Sequence, residues 1–125
     1  MLLDTAFWID LSEERESRQR GHAHQFLAAN RRESFAVSII TWGELAVGFD
    51  RSAGLQRLLG RTKILSLPQQ VAWEASRIER EMRALGIQLG ENDNWIAATA
   101  RVWGFRLVTA DRAFDRVPRL RVLHY

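Results

Sequence analysis

Four acidic residues stand where short apolar segments end or helices begin. Asp4 follows Met1-Leu2-Leu3, Glu44 follows Val37 to Trp42, Asp93 precedes Trp95-Ile96-Ala97-Ala98, and Asp111 follows Leu107-Val108. Taken singly, each has an ordinary explanation: Asp4 and Asp93 as helix N-caps, Asp111 as a turn residue, Glu44 as the third residue of a capping box. Taken together they suggest metal ligation, because carboxylates gathered from separate segments repel and raise one another's pKa unless a cation compensates them. No basic residue directly adjoins Asp4, Glu44 or Asp93. An oxygen-only donor set suits a hard divalent ion, magnesium or manganese.

Four such residues act together only if the fold brings them to one edge, and the apolar pattern supplies the elements. Short apolar runs alternate with longer helical periods, the signature of an α/β chain. Leu2-Leu3 reads as a first strand, with Asp4 or Thr5 capping a helical turn that carries Phe7, Trp8 and Ile9. Glu13 to Asn30 reads as one amphipathic helix and Phe35 to Ser38 as a second strand. Thr41 is expected to cap the next helix, with Glu44 at capping-box spacing. Further helices are expected over 54–60, 69–85 and 92–102, with strands over 62–65, 106–109 and 121–123. Pro68 suits a first helical turn, and Gly86 and Gly104 suit helix ends. Strands separated by helices imply a mostly parallel central sheet covered on both faces, an α/β/α sandwich. In such sheets the functional crevice lies at the carboxyl ends of the strands where strand order reverses, which is where the four acids fall.

Composition narrows the class. The 125 residues, 46% of them hydrophobic, suit a single domain over residues 1–125. With no cysteine, disulfides, thiolate metal sites and thiol nucleophiles are excluded. The start of the chain lacks the basic and long apolar regions of a secretory signal, and no apolar run approaches the roughly 18–20 residues that span a bilayer. A soluble, cytoplasmic protein without a membrane partner is expected. The net charge of +3 is carried almost wholly by arginine, whose fork matches phosphate. A genome-wide preference for arginine explains that bias equally well, so it supports a nucleic-acid partner only weakly. No glycine-rich phosphate loop precedes a helix, which counts against a nucleotide-binding enzyme.

The segments Leu2-Leu3-Asp4-Thr5, Ser38 to Leu45, Asp93 to Ala100 and Leu107 to Asp111 resemble the four motifs of PIN-domain ribonucleases. Their order and spacing resemble the short VapC-type toxins of bacterial toxin–antitoxin pairs, and Gly48 and Phe114 extend the likeness. Trp42, Asn94 and Trp95 stand where that family often carries other residues. The resemblance implies a PIN-like α/β/α sandwich, magnesium-dependent endoribonuclease activity with manganese as a substitute, a homodimer and a cognate antitoxin protein. Asp4, Glu44, Asp93 and Asp111 then correspond to the acidic quartet, with Asp4 and Asp93 the direct ligands. Glu44 would position a water or act as base, and Asp111 would complete the outer sphere or bind a second ion. Thr5 and Thr109 are suited to bonding phosphate or the carboxylates, and Asp115 takes a lesser role. The rivals are a catalytically silent PIN-like module that only binds RNA or protein, a metal-dependent DNA nuclease and a phosphatase.

Other conspicuous residues point elsewhere. His22 and His24 lie on different sides of a helix and read as solvated. His124 shows no neighbour to support a general-base role. Most of the tryptophans fall in apolar helical patterns and read as core or partner contacts, and aromatics near Trp42 and Phe49 read as exposed. Arg15, Arg18 and Arg20 read as a charged helix face.

Overall fold

The computed structural model describes residues 1–125. The elements run β1 (Leu2–Leu3), α1 (Thr5–Ser17), α2 (His22–Ala29), β2 (Ala36–Ser38), α3 (Ile39–Ala46), α4 (Ser52–Leu59), β3 (Lys63–Leu65), α5 (Gln69–Ala84), α6 (Glu91–Trp103), β4 (Leu107–Val108), a 3-10 turn (Arg112–Arg116) and β5 (Val122–Leu123). The five strands form one sheet in the order β3-β2-β1-β4-β5. Every pairing is parallel: Leu2 lies opposite Ala36 and Leu107, Leu3 opposite Val108, and Val108 opposite Leu123. The chain winds outward from β1 on one side and then crosses to β4 on the other, so the reversal falls between β1 and β4.

Strand alternation sorts the core into two layers. Leu2, Ala36, Leu65 and Leu107 face Val71, Ala75, Ile78 and Met82 of α5 and Ile96, Ala97 and Ala100 of α6. One residue on, Leu3, Val37 and Val108 face Phe7, Trp8 and Leu11 of α1, Ala23 of α2, and Leu55 and Leu59 of α4. The result is the three-layer sandwich that the alternation of elements implies. Helix α3 straddles the layers, with Ile40 against the first and Leu45, Trp42 and Ala46 against the second. No helix is long and apolar enough to cross a membrane.

Two expectations need correction. The span from Glu13 to Asn30 is not one helix, because α1 ends at Arg18, whose φ of 56° is left-handed, and α2 begins after Gly21. The Glu14 carboxylate accepts from the amides of Ala23 and His24 at 3.0 Å each, satisfying the free N–H groups at the start of α2. A Cβ at position 21 would sit 2.3 Å from the Glu14 oxygen, so a larger residue there would displace the capping carboxylate. Nor is Thr41 the cap of α3. Ser38, the last residue of β2, caps it by accepting from the Thr41 amide at 3.0 Å, so strand passes into helix without a loop.

That direct junction sets the height of Glu44 above the sheet. Ser38→Ala should cost about 1 kcal/mol for the lost cap and lower the melting temperature by roughly 4 °C. Thermal denaturation followed by circular dichroism would read it, and an unchanged midpoint would show that the cap contributes nothing here.

Helix α6 is held against α5 by charge as well as by packing. The Arg101 side chain is 5% exposed, with Nη1 2.9 Å from Glu81 Oε2 and Nη2 2.5 Å from Glu74 Oε1, the latter off the hydrogen-bond axis. The Asn94 amide donates to the Ala75 carbonyl at 3.0 Å. These bonds place the first turn of α6, and with it Asp93.

Candidate metal centre

Carrying the strand register one residue past the strand ends aligns Ser38, Asp4, Thr109 and His124 as neighbours across β2, β1, β4 and β5. By the same alternation all four belong on the α5–α6 side of the sheet. Asp4 and Thr109 flank the reversal of strand order directly, where a crevice opens in parallel sheets.

Asp4 is 5% exposed. Its Oδ1 accepts from the Phe7 amide at 3.0 Å, making it the N-cap of α1, and its other oxygen accepts from the Thr109 hydroxyl. Burial pushes its carboxyl above the ordinary range, against the pull of those two hydrogen bonds, and the charges of Asp93 and Asp111 push it further. Asp93 lies in the first turn of α6, three residues after the capping position Gly90. It is half-buried, and burial raises its carboxyl, followed by the charges of Asp111 and Glu44. Glu44 and Asp111 are exposed. Glu44 accepts from the Thr5 hydroxyl at 2.8 Å, and Thr5 in turn lies 3.2 Å from the Thr41 hydroxyl, itself 3.2 Å from Ser38. Asp111 opens the 3-10 turn, accepting from the Ala113 amide at 2.8 Å, while its own amide donates to Thr109 at 3.0 Å.

The structure therefore brings the four acids into one electrostatic neighbourhood, graded from buried Asp4 through Asp93 to Glu44 and Asp111 at the mouth. None of the four forms an ion pair, although arginine is abundant and Glu33, Glu74, Glu79, Glu81 and Asp115 each have an arginine partner. No three acidic or histidine side chains close into a cage around one point. In this open cluster the like charges remain uncompensated and raise the pKa of Asp4 and Asp93. It fits an ion that takes one or two carboxylates directly and keeps several waters, as magnesium does. A groove between α5 and α6, lined by Ala75, Met82, Ile87 and Trp95 among others, holds none of the four.

A PIN-domain profile matches residues 1–120. The chain belongs to the PIN-domain family. Among curated relatives, this PIN domain is 28% identical over 98 residues to Ribonuclease VapC4 of Mycobacterium tuberculosis, covering 71% of this chain and 75% of the relative. It is 38% identical over 93 residues to Ribonuclease VapC2 of Haemophilus influenzae, covering 68% and 70%. Among solved structures, DNA-bound VapBC from Salmonella typhimurium superposes with a TM-score of 0.84 at 25% identity, over 98% of this chain and 96% of that one.

Several secondary readings change. His24 is not merely solvated: its Nδ1 lies 2.5 Å from Glu14 at the α1–α2 corner. Trp42 and Phe49 are not exposed, since both pack against the second core layer. Of the tryptophans, Trp8, Trp42 and Trp95 join the core as read, whereas Trp73 and Trp103 are 64% and 43% exposed, with Arg80 and Lys63 over their rings. His124 does have neighbours, one of them next to Asp4: Nδ1 lies 2.8 Å from the carbonyl of Thr109, whose hydroxyl bonds Asp4, and Nε2 lies 2.8 Å from Asp115. A legible signal existed, because Val122-Leu123-His124 repeats the strand-then-polar pattern of Leu107-Val108-Thr109.

Proposed function

We propose that this PIN domain, formed by residues 1–125, is a magnesium-dependent endoribonuclease and the toxin of a cytoplasmic toxin–antitoxin pair. The observation that carries the chemistry is the buried Asp4 carboxylate facing Asp93 and Asp111 with no basic side chain to neutralise them. The ribonuclease reading is supported by relatives named Ribonuclease VapC. The partner reading is supported by relatives solved as VapBC assemblies and as a toxin–antitoxin complex from Klebsiella pneumoniae, 29% identical. A cognate antitoxin and a homodimer complete the proposal.

A bound divalent ion supplies a water of lowered pKa and compensates charge building on the phosphate. Asp4 and Asp93 offer it their oxygens from the floor of the site. Glu44, at the mouth and steadied by Thr5, holds the attacking water or takes its proton. Asp111 completes the outer sphere, and Thr109 fixes Asp4 while accepting from the Asp111 amide. Cleavage should leave a 5′-phosphate.

Incubating the protein with RNA, single-stranded DNA and a phosphomonoester in magnesium separates the readings. Cleavage of RNA alone, lost in EDTA, is expected. A cut DNA strand would make it a DNA nuclease, a hydrolysed monoester a phosphatase, and no reaction on any substrate a silent binding module.

A further inference from the structure

Each oxygen of Asp4 accepts one hydrogen bond, from the Phe7 amide and from the Thr109 hydroxyl, and behind each partner stands a residue that follows β5. Tyr125 packs edge-on against Phe7 with ring centroids 4.8 Å apart, and its hydroxyl donates to Asp10 of the same helix at 2.7 Å. His124 bonds the Thr109 carbonyl with one ring nitrogen and Asp115 with the other, at 2.8 Å each. Both ring nitrogens are thus engaged, one on each side of the ring. His124 is a two-ended strut between the end of β4 and the 3-10 turn.

We propose that His124, braced by Asp115, is a positioning residue that sets Thr109 and through it the orientation of the Asp4 carboxylate toward the metal. This rests on the metal-dependent reading of the site. Thr109 donates to Asp4 and accepts from the Asp111 amide, so a shift of its backbone moves two of the four acids together. His124 meets neither ion nor phosphate in this role. Its effect is that of an outer partner that fixes a ligand's plane, and such partners commonly carry a 10–100-fold share of metal affinity.

The test is manganese binding, read from the electron paramagnetic resonance signal of the free ion, in wild type, His124→Ala, Asp115→Ala and the double variant, with melting curves in parallel. Asp115 is exposed, so Asp115→Ala keeps the test alive should His124→Ala fail to fold. Each single variant should bind manganese about 10-fold more weakly. The double variant should lose no more than His124→Ala alone, because both act through one strut. Wild-type affinity in a folded His124→Ala overturns the proposal, as do additive losses, which would mean that Asp115 meets the ion by itself. Wild type that binds no manganese overturns the metal reading itself and this proposal with it.

Discussion

Asp4→Asn should abolish magnesium-dependent RNA cleavage, by more than the roughly 100-fold that an outer partner's loss costs, yet melt no lower than wild type in EDTA. Asparagine keeps an oxygen to cap Phe7, and its amide donates to the Thr109 hydroxyl oxygen in place of accepting from it, so the cap survives and the second bond reverses direction. What it removes is a buried charge repelled by Asp93 and Asp111. In the metal-free protein that charge is a cost to folding, and each kcal/mol regained would appear as roughly 4 °C in the melting temperature.

Linkage gives the prediction a sign in pH as well. The carboxyls of Asp4 and Asp93 are raised in the folded chain. Above the ordinary Asp value of 3.8 the native state therefore holds protons that the unfolded chain has released. Stability of the metal-free protein should fall as pH rises through that window, and Asp4→Asn should flatten the fall. Magnesium should reverse it at neutral pH. At ten times its dissociation constant it should add about 1.4 kcal/mol to wild type and nothing to the variant, as differential scanning calorimetry would show.

Arg101→Met should have the largest effect on stability, about 2–3 kcal/mol, short of the 3–5 of a fully buried pair because its partners retain some solvent. Glu74 and Glu81 would keep only Arg77 at 3.4 Å and Arg119, both more exposed than Arg101. Here the pH sign is opposite. The Arg101 guanidinium, assisted by Arg119 and opposed by burial, holds Glu81 below its ordinary value of 4.5, so its contribution is present above that value and lost in acid. Chemical denaturation at neutral and acidic pH would read both: the gap between wild type and Arg101→Met should narrow in acid, and a constant gap would exclude Glu81 as the source. Because Arg101 anchors the helix that carries Asp93, cleavage should weaken before the fold is lost.

The strands and their parallel order were legible because Leu2-Leu3, Leu107-Val108 and the helices between them alternate with the right periods. Asp4 was legible as the cap of α1 because an acidic residue between an apolar strand and a helix has few other uses. The break at Arg18–Gly21 was not, since the helical pattern runs through it and the Glu14 carboxylate that caps α2 reaches Ala23 and His24 only in the folded chain. Ser38 was missed for a related reason: propensity places a cap outside the strand, whereas here strand register and helix cap share one residue. The openness of the carboxylate cluster was also hidden, because spacing tells which edge the acids reach and not how closely their side chains converge there. His124 needed the register of an edge strand two residues long, which no local pattern weights heavily.

We propose that Asp4, Glu44, Asp93 and Asp111 together form a divalent-ion site that cuts RNA. The most direct measurement is cleavage of a labelled RNA by wild type and Asp4→Asn at equal concentration, each in magnesium and in EDTA. Cleavage should occur only with wild type in magnesium and leave 5′-phosphate ends. Equal cleavage by Asp4→Asn, or wild-type cleavage that persists in EDTA, would contradict it.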